Sequence, residues 1–158
     1  MTTYDTEWIM RTVAITGTRE TSHKPFTEYV DLFEQYLGPF AQAAHFYIGG
    51  AVGIDSLALL WLAGQTSASI TIVAPGTMSQ QPVEAREAVA RTRDRITEIV
   101  ELAAAELRSP AYHARNRWMV DRASMTIGFP HATEPSTGTW QTINYTAEQG
   151  KPRLIVPV

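Results

Sequence analysis

Cysteine is absent from this 158-residue chain. No disulfide, thiolate nucleophile or cysteine metal site is therefore available, and a reducing compartment, the cytoplasm, is the expected location. Long apolar runs are missing too: none approaches the ~20 residues that cross a bilayer, so no membrane partner is expected. The opening MTTYDTEWIMR lacks a basic segment followed by an apolar one and does not read as a secretory signal. Nor is there an excess of positive charge. Thirteen Lys and Arg stand against sixteen Asp and Glu, for a net charge of -3. That balance argues against a protein whose main work is gripping a nucleic-acid backbone, so nucleic acid is not the expected partner. His23, His45, His113 and His131 show no metal-ligand spacing, and neither a metal nor a cofactor is expected.

What is present is an alternation of short apolar runs and helical patterns. TVAIT (12–16), HFYI (45–48), SITIVA (69–74), MTIGF (125–129) and the terminal RLIVPV (153–158) read as strands buried on both faces. Helical spacing runs over 25–37, 54–63, 111–123 and roughly 139–149. After Pro82, a long amphipathic stretch places Ala85, Val89, Ile96, Ile99, Val100, Ala103 and Leu107 on one face. Its mixed charges, Glu84 to Arg108, read as a solvated helix face. Strand–helix alternation predicts right-handed crossovers and a Rossmann-like, three-layer α/β/α domain with a mainly parallel sheet. One domain over 1–158 is expected, with residues 1–11 as a loose lead-in.

In such sheets ligands bind beyond the carboxyl ends of the strands. Three turns fall there: Thr16 to Glu20, Gly49 to Asp55, and Pro135 to Gln141. The second, GGAVGID, places Gly49, Gly50 and Gly53 before a helix, where glycine lets a backbone approach an anion and the helix start attracts phosphate. The same glycines also suit a plain tight turn. The segment matches neither GxGxxG nor GxxxxGK[ST]. Asp55 would sit in the first helical turn as a cap or as an acceptor for a ligand hydroxyl. Ser136, Thr137, Gly138 and Thr139 offer hydroxyls and N–H groups before the last helix, for an anion or for capping.

TGTRE, GGAVGIDSLAL, RNRWMVDRAS and STGTWQTINYTAEQGKP follow one another in this order. Over residues 12 to 157 the pattern resembles the SLOG superfamily of Rossmann-like domains, which includes the DNA-processing DprA proteins and the Lonely Guy phosphoribohydrolases. The resemblance implies a nucleotide or nucleotide-derived ligand, with its phosphate in the last glycine turn. Carried onto this chain, Gly17, Thr18 and Arg19 match the first motif, and Gly49, Gly50, Gly53 and Asp55 the second. Arg115, Asn116 and Arg117 match the third, and Ser136, Gly138, Thr139 and Thr142 the fourth. Thr142 stands where the Lonely Guy enzymes carry a glutamate, so hydrolysis of a nucleoside monophosphate would need Glu134 or Asp55 in its place. No catalytic residue is assigned. The leading expectation is a phosphate-ligand sensor or binding module, with such a hydrolase, then a DprA-like DNA-binding protein, as the alternatives. Family members commonly associate as dimers, and Trp61, Trp118 and Tyr145 fit such a contact.

Arg19 follows a strand end and could clamp a phosphate. Arg115 and Arg122 lie seven apart on one helical face with Trp118 between them, which could stack on a base or pair with an arginine. Trp140 could stack on a base or pack between subunits. His45 reads as structural, and His113, close to the RNR segment, as a candidate ligand contact.

Overall fold

The first strand, β1 (Thr12–Gly17), forms the spine of a six-stranded sheet. The computed structural model describes residues 11–133 and 137–158. The other strands are β2 (His45–Ile48), β3 (Ser69–Ala74), β4 (Glu98–Glu101), β5 (Met125–Phe129) and β6 (Arg153–Ile155). Their order across the sheet is β4-β3-β2-β1-β5-β6, and every neighbouring pair is parallel. Ile15, for example, pairs with Ile48 on one side and Ile127 on the other. The Rossmann-like α/β architecture expected from the sequence is the one observed.

Among the described residues, five α-helices connect the strands: α1 (Phe26–Tyr36), α2 (Ile54–Gln65), α3 (Val83–Arg91), α4 (Ser109–Arg122) and α5 (Gly138–Glu148). Helices α1 to α3 cover one face. Tyr29, Phe33, Leu59, Leu62 and Val89 meet Val13, Ile15, Phe46, Ile48, Ile70 and Ile72 there. Phe33 lies edge-on to Phe129 at 5.4 Å between ring centres. Helices α4 and α5 lie side by side on the opposite face, where Met119 and Ala123 pack on Ala14 and Val73. Adjacent residues of one strand thus feed opposite layers, because side chains alternate across a pleated sheet. None of the helices described is long and apolar enough to cross a membrane.

Two expectations need correction. The stretch after Pro82 is not one helix. α3 stops at Arg91, a 3-10 turn follows at Arg93–Arg95, and Glu98–Glu101 adds an edge strand to β3. Ile99 joins the α1–α3 side and Val100 the α4 side. This is the period of a strand, hidden inside residues that also fit a helical spacing. Trp61, expected at an exposed contact, is only 7% exposed and packs against Phe33 within the core.

The chain builds β1 to β4 outward in one direction, then returns to lay β5 on the other side of β1. Connections leaving the ends of β1 and β5 therefore diverge to opposite sides. The divergence opens a crevice at the carboxyl edge.

Candidate functional site

A cavity of about 520 Å³ occupies that crevice. Its walls are the turn after β1 (Gly17 to Glu20), the start of α2 (Ala51, Asp55), one side of α4, the segment after β5 (Pro130 to Ala132) and the start of α5 (Thr137 to Thr139). Of the residues singled out from the sequence, Gly17, Thr18, Arg19, Asp55, His113, Arg115, Asn116, Thr137, Gly138 and Thr139 line this single space. Gly49, Gly50 and Gly53 are not among its lining residues, and Ser136 lies outside the described residues.

Gly49 and Gly53 instead allow separate segments to touch. A Cβ at Gly49 would stand 2.8 Å from both the Arg115 guanidinium and Asp55 Oδ2. A Cβ at Gly53 would meet the Thr18 carbonyl oxygen at 2.5 Å, and Gly53 holds a positive φ of 78°. The turn after β1 rests directly on this glycine: Ile54 N–H donates to Thr18 O at 3.0 Å. One of the amides opening α2 is thus taken by protein.

Arg115 is 4% exposed. Its Nη1 donates to the carbonyl of Gly49 and, at 3.3 Å, to that of Val73; its Nε donates to Asn116 Oδ1 at 2.7 Å. The guanidinium thereby ties α4 to the ends of β2 and β3. Asp55 is 7% exposed and accepts from Ala51 N–H at 3.2 Å. Burial raises its carboxyl to about 6, against the pull of Arg115, the Ala51 amide, Arg19 and the Gly49 amide. Burial lowers the Arg115 guanidinium, with Asp55 opposing that change.

Arg19 is exposed, and its guanidinium lies 5.0 Å over the Tyr112 ring. The same ring is 6.0 Å from the Arg115 guanidinium. Sequence reading missed Tyr112, although it stands three residues before Arg115 and hence one helical turn away on the same side. It also missed His131, which lines the cavity and stacks on His23 with 3.8 Å between ring centres. No sequence spacing announces that pair, because 108 residues separate its members and only β5 beside β1 brings them together.

Thr137 caps α5, its hydroxyl accepting from Trp140 N–H at 3.4 Å. Trp140 Nε1 donates to the Ala132 carbonyl and so joins α5 to the segment after β5. Arg122 lies at the other end of α4, its guanidinium 3.7 Å from the Trp118 ring centre, and does not line the cavity that holds Arg115. Thr142 is buried and donates to the Gly138 carbonyl at 2.8 Å, so no carboxylate stands at that position. His45 Nε2 and Thr71 Oγ1 are 2.6 Å apart between neighbouring strands, and burial lowers the imidazole pKa.

A parallel α/β sheet with a cavity at its switch point defines a Rossmann-like domain. The particular family follows from sequence: residues 5–158 match the model of DNA recombination-mediator protein A, and the chain belongs to that family. No curated protein matches it. Two solved structures share the fold. DNA processing protein A from Helicobacter pylori is 17% identical with a TM-score of 0.69, over 95% of this chain and 66% of that one. DNA processing protein A (DprA) from Streptococcus pneumoniae is 20% identical with a TM-score of 0.72, over 94% of this chain and 51% of that one. The chain thus spans about two thirds of the first and half of the second.

The H. pylori protein is described by its unique single-stranded DNA binding mode. The expectation that nucleic acid is not a partner is overturned by this neighbour and by the family. Net charge is a sum over the whole surface, whereas strand binding depends on where a few cations and amides sit.

Proposed function

We propose that the chain is a single-stranded-DNA-binding domain that seats one nucleotide of the strand in the cavity between β1 and β5. The observation that carries this reading is Arg19, exposed and braced over Tyr112 on the wall of a cavity that also includes the start of α5. A phosphate there meets a guanidinium fork, the Thr18 and Thr137 hydroxyls, and the positive end of a helix dipole. Asp55 repels a phosphate and accepts from sugar or base donors, which orients the nucleotide. The family and the H. pylori neighbour support a strand as the ligand.

The test is fluorescence anisotropy of a labelled oligothymidylate, with the unaltered chain and with Arg19→Ala. Arg19→Ala should weaken binding about tenfold, within the range of a charge-assisted contact. Equal affinity of the two proteins would remove Arg19 from the site and the reading with it. A second reading, a free nucleotide as the natural ligand, is favoured by the cavity volume of about 520 Å³, which suits a small molecule. In a thermal-shift assay, a mononucleotide that stabilises the chain as much as a saturating oligonucleotide supports that second reading.

A further inference from the structure

Three consecutive residues of α4 run from the cavity to the surface beside it. Arg115, at the buried end, lines only the cavity and is held by the Gly49 and Val73 carbonyls. Asn116 lines the cavity described above and also a neighbouring groove of about 300 Å³. Arg117 is exposed and lines only that groove. The turn of about 100° per residue in an α-helix accounts for the succession.

The groove lies between α4 and α5. It shares His113 as well as Asn116 with the cavity, so the two spaces adjoin along α4. Its lining suits nucleotides. The Oδ1 atoms of Asn116 and Asn144 accept from Arg115 Nε and Arg153 Nη1, which orients their amide N–H groups as donors toward base acceptors. Tyr145 is half-buried, and its hydroxyl donates to Asp121 Oδ1 at 2.6 Å, which holds the ring between the two helices. A ring fixed in this way is a stacking surface with little entropy left to lose. Arg117 supplies the positive charge for a phosphate. Glu148 adds one carboxylate, an acceptor for base amino groups and a repellent for phosphate.

We infer that the α4–α5 groove is a second nucleotide subsite, reached from the cavity past His113 and Asn116, so that the ligand is an oligonucleotide running over these two helices. This rests on the strand-binding reading and extends it from one unit to a path. It also gives Arg117 a role that the cavity alone does not.

The experiment is a competition series. Unlabelled thymidine 5′-monophosphate, a dinucleotide, a tetranucleotide and an octanucleotide displace a labelled oligothymidylate from the unaltered chain, from Arg117→Ala and from Arg117→Glu. Folding of the variants is checked by circular dichroism. The unaltered chain should gain about tenfold or more from the mononucleotide to the tetranucleotide, the worth of a further stacked base and phosphate. Arg117→Ala should shrink the ratio of tetranucleotide to mononucleotide affinity by about fivefold, and Arg117→Glu by more. Affinity independent of length overturns the second subsite and leaves the cavity reading standing. A ratio unmoved by either Arg117 variant overturns it equally. Failure of every oligonucleotide to bind the unaltered chain overturns the strand-binding reading and this inference together.

Discussion

The Arg115 guanidinium donates to the Gly49 carbonyl, and its central carbon lies 2.8 Å from where a Cβ on residue 49 would stand. The arginine can enter the sheet edge only because residue 49 has no side chain. Gly49→Ala should therefore displace Arg115 and destabilise the fold by about 1–3 kcal/mol, as overpacking does. Gly64, in the last turn of α2, faces open space: a Cβ there would have nothing within 4 Å. Gly64→Ala should stabilise by up to about 1 kcal/mol. Urea denaturation of both variants checks the pair, and opposite signs are the expected outcome.

Arg115 and Arg19 should separate cleanly. Arg115→Met leaves the Gly49 and Val73 carbonyls without their donor and removes the positive partner from buried Asp55. A loss of about 2–4 kcal/mol follows from such uncompensated polar groups. Arg19 is exposed, so Arg19→Ala should move stability by no more than about 0.5 kcal/mol while weakening binding. Denaturation and anisotropy on the same two preparations test this division.

Asp55 makes stability depend on pH. Its carboxyl stands at about 6 in the folded chain against an ordinary 3.8. Between these values the folded state holds a proton that the unfolded chain has released. Stability should therefore fall as pH rises from 3.8 through about 6, by on the order of 3 kcal/mol, and the Asp55 contribution should level off above. Thermal melts across that range should show this slope, and Asp55→Asn should flatten it.

Salt tests the phosphate contact at Arg19. Each neutralised phosphate of a single strand contributes a slope of about -0.7 to log affinity against log salt. Arg19→Ala should reduce the magnitude of the measured slope by about that amount. An unchanged slope would mean that Arg19 meets no phosphate.

Much of this molecule is legible in its sequence. Ile15, Phe46, Ile70 and Ile127 sit in short apolar runs that can only be strands covered on both faces, and alternating helices force those strands parallel. That the turns holding Thr18, Arg19, Asp55, Thr137 and Gly138 meet at one cavity is legible because the strand ends of a parallel sheet share one edge. Strand β4 was not, since Ile96, Ile99 and Val100 fit a helical period as well as a strand, and only pairing with Ile72 and Val73 decides between them.

By itself, then, the sequence determined the class of the fold, through hydrophobic periodicity, and the turns where a ligand could sit. The tertiary structure alone decided what each turn touches. Gly49 and Gly53 read as parts of an anion loop, yet they admit Arg115, Asp55 and the Thr18 turn into close contact. Tyr112 and His131 enter the cavity because α4 and the segment after β5 converge on it. Periodicity acts between residues a few positions apart, whereas a cavity is made by residues far apart along the chain. Only the crossing of the chain at β1 brings those together.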